Sequence, residues 1–201
     1  MSAPARLNAE IVRGVEEYLA AVRETDVPEP TAVLLATADR QGRPSSRTVL
    51  LKGFDERGFV IYTNFRSRKG QELQANPWAS LTFHSQALGK QLHAQGPVEV
   101  VTEAEADAYF ASRARGSQIG AWASEQSEGM PAEGRAALQR RIAEYEEKFA
   151  GGEVPRPAHW SGFRILPERV EFWTNGEFRL HDRQVWERDA SGAWTVRTLY
   201  P

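Results

Sequence analysis

The chain contains no cysteine among its 201 residues. Disulfide bonds and thiolate chemistry are therefore excluded, and we expect a cytoplasmic location because such a protein suits a reducing compartment. Long apolar runs are missing too: the longest, residues 32–36, is far too short to span a membrane. No charged-then-apolar signal segment opens the sequence, so we expect no membrane partner.

A large excess of charge of either sign is also absent. The chain has 25 Lys and Arg against 27 Asp and Glu, which gives a formal net charge of -2. This balance argues against a non-specific nucleic-acid binder, and we expect no nucleic-acid partner.

Motifs for metal and acyl-transfer chemistry do not occur. No metal-ligand spacing relates the four histidines, which are His84, His93, His159 and His181. There is no phosphate-binding Walker loop and no Gly-rich dinucleotide fingerprint. We therefore predict no metal site and no hydrolase triad.

What is present is an ordinary globular composition, with 41% hydrophobic and 26% charged residues. Apolar residues at three- and four-residue steps predict an amphipathic helix in residues 1–30, an N-terminal helix and lead-in. Residues 31–201 are predicted to form a single domain. Short β-rich runs, such as "AVLLATAD", "SSRTVLLKGFD" and "GFVIYTN", are separated by the turn sequences "DRQGR" and "DERG". The predicted fold class is mainly β with helices (α+β), a small β-barrel with peripheral helices.

Helices are predicted between these strands. "SRKGQELQANP" is typical of a loop running into a short helix that stops before Pro77. Thr102 and Glu105 have capping-box spacing and predict a helix through about Arg113. "SQIGAWAS" is predicted to continue helically after a break at Gly116, and "AEGRAALQRRIAEYEEKFAGG" to form a further helix.

The stretch "RLHDR" near the C-terminus concentrates positive charge. It is predicted to lie in a strand, "FRLHDRQVWERD". Arg179, His181 and Arg183 would then line one face, because side chains alternate along a strand. These three groups repel one another unless an anion lies opposite them. We therefore expect an anionic ligand at this face.

Two further groups of side chains suit phosphate. One comprises Arg47, Lys52, Thr63, Ser67, Arg68 and Lys69, the last four beside a predicted helix start. The other comprises Tyr109, Arg113 and Ser117, which share one face if the helix is continuous. A solvated loop and an ordinary exposed helix face are the alternatives for each group alone. Together they predict two phosphates.

The ordered set "RTVLLK", "YTN…SRKG", "SQIGAW", "QS", "FW" and "RLHDR" resembles the pyridoxine (pyridoxamine) 5'-phosphate oxidase family, from about residue 31 to residue 201. The resemblance implies an FMN-binding split β-barrel that works as a homodimer with two active sites at the subunit interface. It also implies oxidation of pyridoxine or pyridoxamine 5'-phosphate to pyridoxal 5'-phosphate. In the family a hydride passes from the substrate C4' to the flavin N5, and O2 then reoxidises the flavin and releases H2O2.

The same resemblance implies roles for individual residues. Residues implied to contact FMN are Arg47, Thr48, Val49, Leu50, Leu51, Lys52, Tyr62, Thr63, Arg68 and Lys69. Further flavin contacts, implied to come largely from the partner subunit, are Gln91, Gln126, Ser127, Trp173 and Arg183. Residues implied to hold the substrate phosphate are Lys52, Tyr109, Arg113 and Ser117. Arg179 and His181 are implied to be catalytic and to lie over the substrate ring.

The match has departures and leaves alternatives open. Ala114 stands where a proline is usual, and the N-terminal segment resembles the family's Arg-rich segment poorly. Arg47 and Lys52 fall on opposite faces of a regular strand, so either a bulge intervenes or the strand ends before Lys52. Trp173 is as typical of a packed core as of a ligand site. Two other functions remain: a related FMN oxidase of the phenazine-biosynthesis type, and a non-catalytic flavin or B6-phosphate carrier.

Overall fold

A ten-stranded antiparallel sheet forms the centre of the protein in the computed structural model, which describes residues 6–201. The strands are β1 (Ala32–Ala38), β2 (Pro44–Leu50), β3 (Gly53–Asp55), β4 (Gly58–Asn64), β5 (Trp78–Ser85), β6 (Lys90–Val100), β7 (Trp160–Ile165), β8 (Arg169–Thr174), β9 (Asp182–Arg188) and β10 (Trp194–Thr198). The helices are α1 (Ala9–Arg23), α2 (Arg68–Ala75), α3 (Glu103–Ser112), α4 (Arg115–Ala123) and α5 (Arg135–Lys148). The mainly β class with peripheral helices is confirmed.

The long strand β6 makes the sheet divide. The strand order is β10-β9-β8-β6-β5-β1-β2, and residues 90–95 of β6 pair with β8. Beyond Gly96 the partner changes, because residues 98–100 pair with β7, which continues to β4 and β3. A Cβ at Gly96 would lie 2.1 Å from the carbonyl oxygen of Leu166, so glycine permits this close approach. The result is a half-barrel with an open side.

The core lies between the sheet and α1. Ile11 and Val15 of α1 are fully buried in the same apolar cluster as Leu35, Leu81 and Leu92 of the strands. The predicted N-terminal helix is therefore confirmed, and it covers one face of the sheet. The predicted lead-in begins with residues 1–5, which lie outside the described residues.

Local signals predicted most of the other elements correctly. The turns at Asp39–Arg43 and Asp55–Gly58 close the two N-terminal hairpins. Ser67 caps α2, which ends before Pro77, and Thr102 and Glu105 form the predicted capping box of α3. No helix of residues 6–201 has the length and apolar character needed to cross a bilayer.

Two predictions about secondary structure were wrong, and one open alternative is resolved. "RLHDR" is not a strand over its whole length: residues 177–179 form a 3₁₀ turn with Phe178 and Arg179 in the left-handed region, and only Asp182 and Arg183 belong to β9. The break after α3 is at Arg113, which has an extended backbone, and not at Gly116, which lies inside α4. Strand β2 ends at Leu50, before Lys52, so no bulge is needed to reorient that side chain.

Candidate active site

A cavity of about 450 Å³ lies where β2, β4, α2, α3 and α4 meet. Eleven of the predicted site residues line it: Thr48, Val49, Leu50, Lys52, Tyr62, Thr63, Lys69, Tyr109, Arg113, Ser117 and Gln126. It is completed by five residues that the sequence did not indicate: Asn64, Gly120, Ala121, Ser124 and Trp160. Both groups of predicted phosphate ligands therefore contribute to one cavity.

The charge of this cavity is entirely positive. Lys52, Lys69 and Arg113 are the ionisable Lys and Arg side chains in its wall, and no Asp or Glu is among the described residues that line it. Cations gathered without counter-charge favour an anionic occupant, because phosphate oxygens accept several charge-assisted hydrogen bonds.

Lys69 is held at the start of α2, in the turn that Ser67 caps. Its side chain is buried, and its Nζ makes a 3.4 Å contact with the hydroxyl of Thr63. Burial, and then the positive charge of Arg47, lower the pKa of Lys69 below its usual range. The surroundings therefore disfavour the charged form of Lys69, and an anion bound beside it would stabilise that form.

Arg113 shows the same condition at the end of α3. Its Nη1 is buried and has no hydrogen-bond partner within residues 6–201. The guanidinium lies over the ring of Trp160, 4.8 Å from the centroid, and burial lowers its pKa. A buried guanidinium nitrogen without an acceptor is costly, so this atom is suited to donate a hydrogen bond to an anionic ligand.

Tyr109, Arg113 and Ser117 lie in the same wall, although not on one continuous helix. Because the chain turns at Arg113, Tyr109 comes from α3 and Ser117 from α4. The three residues share one wall of the cavity, but the single helical face that was expected to group them does not form.

Arg47 and Arg68 do not line the cavity but lie beside Lys69. Both bind the carboxylate of Glu72, through Arg47 Nη2 at 3.1 Å and Arg68 Nε at 2.8 Å. Leu51 is part of the buried core, and Ser127 follows Gln126 in a loop with a positive φ of 77°. These four residues therefore stand behind or beside the cavity wall.

A second cleft of about 500 Å³ contains Gln91 and Trp173, between α1 and strands β6, β8 and β9. Nearby, Arg183 donates from Nε to Glu171 at 2.8 Å and from Nη1 to the carbonyl of Tyr200 at 3.1 Å. Of the predicted partner-subunit contacts, only Gln126 lies in the first cavity within one chain. Gln91, Trp173 and Arg183 lie side by side on strands β6, β8 and β9, and Ser127 lies in the loop after α4.

Arg179 and His181 are on the turn that precedes β9. Arg179 is exposed, and its φ of 65° follows a φ of 54° at Phe178. His181 accepts a hydrogen bond at Nδ1 from the backbone N–H of Gly176, at 3.2 Å, and its ring centroid is 4.6 Å from that of Trp173. A neutral ring in this arrangement carries its proton on Nε2, which leaves that nitrogen as the available donor. Two consecutive non-glycine residues in the left-handed region are strained, and such strain is concentrated at functional sites.

These features fit a phosphorylated aromatic cofactor. Lys69 Nζ makes one 3.4 Å contact with the neutral hydroxyl of Thr63, and Arg113 Nη1 has no acceptor within residues 6–201. The aromatic side chains Tyr62, Tyr109 and Trp160 line the same cavity. Within residues 6–201, no group of three or more His, Asp or Glu side chains is placed to hold a metal ion.

Three residues were not singled out from the sequence. Trp160 stacks on Tyr62 with centroids 5.3 Å apart, while Glu72 and Glu171 each bind two arginines. A tryptophan at a strand start and a glutamate on a helix are ordinary in themselves. One arginine partner of each glutamate is close in the sequence, but Arg47 is 25 positions from Glu72 and Arg183 is 12 positions from Glu171. Local spacing could therefore not reveal that each glutamate joins two arginines.

Comparison with known proteins places this geometry in a family. Residues 19–149 match a family model described as pyridoxamine 5'-phosphate oxidase, and residues 160–201 match a pyridoxine 5'-phosphate oxidase C-terminal dimerisation region. A pyridoxine/pyridoxamine 5'-phosphate oxidase of Chelativorans sp. is 53% identical, over 98% of this chain and 90% of the relative. One from Myxococcus xanthus is 57% identical, over 86% of this chain and 82% of the relative.

Solved structures agree on the fold. PhzG from Burkholderia lata, in complex with tetrahydrophenazine-1-carboxylic acid, superposes with a TM-score of 0.89 at 34% identity, covering 96% of this chain and 94% of that one. A pyridoxamine 5'-phosphate oxidase-related, FMN binding protein from Nostoc punctiforme gives a TM-score of 0.72 at 17% identity, covering 94% and 96%. The chain belongs to the pyridoxamine 5'-phosphate oxidase family of FMN-dependent oxidoreductases.

Proposed function

We propose that this protein oxidises pyridoxine 5'-phosphate and pyridoxamine 5'-phosphate to pyridoxal 5'-phosphate, with O2 as the final acceptor and H2O2 as the second product. The observation that carries the proposal is the buried Nη1 of Arg113, which has no acceptor among the described residues and borders a cavity of the size of a small ligand. Lys52, Tyr109 and Ser117 share that wall and supply further hydrogen-bond donors. A phosphate monoester would occupy the unused donors.

The cofactor FMN fits the remainder of the cavity. Its phosphate would be held at the start of α2 by Lys69 and Thr63, with Arg47 and Arg68 adding positive charge from behind. The segment Thr48–Leu50, Tyr62 and Gln126 would contact the rest of the cofactor. When bound, FMN supplies the hydride acceptor and the route by which electrons reach O2.

We propose that the active protein is a homodimer in which each site uses both chains. Arg179, His181, Trp173 and Arg183 all lie within the segment that matches the dimerisation region. None of them lines the cavity that contains Arg113 in the same chain. A partner chain would bring Arg179 and His181 over the substrate ring, where the fixed charge of Arg179 and the Nε2–H of His181 would orient the substrate and stabilise developing charge.

The test is turnover by the purified, FMN-loaded protein. Under air, pyridoxamine 5'-phosphate should yield pyridoxal 5'-phosphate, detected by its absorbance, with one H2O2 per product. Unphosphorylated pyridoxamine is the matched control and should react far more slowly, because it leaves Arg113 without an acceptor. Failure to form the aldehyde from either phosphate, with FMN bound, would refute the proposed reaction.

A second candidate is an oxidase of the phenazine type, favoured by the similarity to PhzG. With Lys69 assigned to FMN, Lys52 and Arg113 are left for the substrate, and two cations suit a dianionic phosphate better than a single carboxylate, which supports the first candidate. Anaerobic mixing with tetrahydrophenazine-1-carboxylic acid and with pyridoxamine 5'-phosphate would separate the two, because only the true substrate bleaches the flavin rapidly.

A further inference from the structure

Glu72 is a buried carboxylate that joins three elements of the fold. It lies on α2, and its Oε2 accepts hydrogen bonds from the hydroxyls of Thr37 on β1 and Ser45 on β2. Oε2 also accepts from Arg47 Nη2, while Oε1 accepts from Arg68 Nε. Burial alone would raise the pKa of Glu72, but these hydrogen bonds outweigh it and lower the pKa to about 2. The group is therefore an anion at any physiological pH.

Because Arg47 and Arg68 both donate to Glu72, this carboxylate fixes the position of one arginine relative to the other. Arg47 is bound on both terminal nitrogens, because its Nη1 also contacts Thr37 Oγ1 at 2.5 Å and its Nη2 contacts Ser45 Oγ at 2.5 Å. Arg68 reaches the other carboxylate oxygen from the first turn of α2. A planar guanidinium held in this way has lost its rotamer freedom before any ligand arrives.

The charges in this cluster leave a defined remainder. Arg47, Arg68 and Lys69 contribute three positive charges, and Glu72 contributes one negative charge. The net charge of these four side chains is therefore +2. A phosphate monoester carries about -1.5 to -2 at pH 7, so one bound phosphate would neutralise the cluster.

We infer that Glu72 is a positioning residue for the cofactor phosphate: it holds Arg47 and Arg68 beside Lys69 and leaves the cluster with the charge that a phosphate dianion matches. This inference rests on the proposed FMN site. If only charge mattered, removing the negative charge of Glu72 should strengthen binding of the cofactor phosphate. If Glu72 instead positions the two arginines, its removal should weaken binding of the cofactor phosphate.

The test compares FMN with riboflavin, which has the same ring system without the phosphate. Apoprotein is titrated into each flavin and the quenching of flavin fluorescence gives two dissociation constants. In the wild type, FMN should bind more tightly than riboflavin. In Glu72→Gln, we expect the Kd for FMN to rise about ten-fold, as for loss of hydrogen bonds to charged groups, with the Kd for riboflavin changed less than about two-fold.

Each other outcome has a distinct meaning. Tighter FMN binding by Glu72→Gln would overturn the inference in favour of simple charge repulsion, and equal losses for FMN and riboflavin would reduce Glu72 to a structural role. A wild type without preference for FMN would instead refute the proposed phosphate site itself.

Two more variants keep the test decisive if Glu72→Gln folds poorly. Glu72→Asp keeps the charge but is too short to reach both arginines, so it should also lose preference for FMN; an unchanged preference would overturn the inference. Asp39→Asn is the matched control, because it removes one negative charge from the β1–β2 hairpin that Glu72 contacts, at a position where Asp39 pairs with Arg43. Its FMN preference should equal that of the wild type.

Discussion

The ring of Tyr109 lies flat against the ring of Tyr62, with the centroids 4.1 Å apart and the planes 18° from parallel. Tyr62 in turn stacks on Trp160, so β4, α3 and β7 each contribute one ring to the stack. The guanidinium of Arg113 lies over Trp160, directly after α3 ends. The stack therefore fixes the end of α3 and, with it, the position of the unpartnered Arg113 nitrogen.

The first prediction concerns Arg113→Ala. Its contact with a substrate phosphate would be equally strong before and during the reaction, so its loss should raise KM more than it lowers kcat. We expect KM for pyridoxamine 5'-phosphate to rise about ten- to hundred-fold, from the usual worth of a hydrogen bond to a charged group. Steady-state kinetics of the FMN-loaded variant measure this.

Arg140→Ala is the control for Arg113→Ala, because Arg140 is exposed and pairs with Glu133 on the surface. It should leave KM unchanged. A large fall in kcat for Arg113→Ala, with KM unaltered, would contradict a phosphate-binding role.

The relation between sequence and structure differs among the elements of this site. The helix starts at Thr102 and Ser67 were predicted because a cap is a local signal, made within three residues. The end of α3 near Arg113 was predicted too, but the start of α4 was not, because its N-cap residue Ala114 makes no side-chain hydrogen bond. Sequence spacing therefore grouped Tyr109, Arg113 and Ser117, which line one cavity, but it did not locate the bend between α3 and α4.

The turn before β9 was mispredicted for a similar reason. Alternation along a strand places Arg179, His181 and Arg183 on one face, but Phe178 and Arg179 adopt the left-handed conformation, which their side chains disfavour. The usual preference of non-glycine residues for a negative φ therefore predicted a strand where the chain forms a turn. The contacts of Glu72 with Thr37 and Arg47 were beyond prediction as well, since they join residues 35 and 25 positions apart.

The second prediction uses the lowered pKa of Lys69. Because the folded protein lowers this pKa below the value of about 10.4 in the unfolded chain, the unfolded state binds more protons between the two values, and stability rises with pH there. Below that window the full cost of the buried charge is present. Lys69→Met lacks this cost, so apoprotein of the variant should be more stable than the wild type at pH 7.

Urea unfolding of both apoproteins checks this prediction. The difference in free energy of unfolding should shrink as the pH rises from the lowered pKa of Lys69 towards the unfolded-chain value of about 10.4. The same variant should bind FMN about ten- to hundred-fold more weakly. A variant less stable than the wild type at pH 7 would show that the Lys69 charge is already compensated in the apoprotein.

The third prediction concerns the strained turn. A Cβ at Gly176 would lie 1.9 Å from the carbonyl oxygen of Leu180, so Gly176→Ala must displace the turn and the hydrogen bond to His181. We expect kcat to fall about ten- to hundred-fold, as for small displacements of catalytic groups, with FMN affinity nearly normal. Gly129→Ala is the control, because a Cβ there meets nothing within 4 Å. Unchanged kcat in Gly176→Ala would mean that the turn geometry is not used.

The last prediction separates the two arginines that flank His181. Arg183 is fixed by Glu171 and by the carbonyl of Tyr200, whereas Arg179 is exposed on the turn. If Arg179 lies over the substrate ring, Arg179→Met should stay yellow with near-normal FMN affinity. Its flavin should be reduced about a hundred- to thousand-fold more slowly by pyridoxamine 5'-phosphate, the usual effect of losing one preorganised electrostatic group.

Arg183→Met should instead weaken FMN binding, because Arg183 is proposed to contact the flavin. Anaerobic stopped-flow mixing measures flavin reduction, and fluorescence titration of the apoproteins measures FMN affinity. The two substitutions remove the same charge and keep similar aliphatic length, so each serves as the control for the other. If Arg179→Met lost its flavin yet was reduced normally once FMN was resupplied, the roles assigned to Arg179 and Arg183 would have to be exchanged.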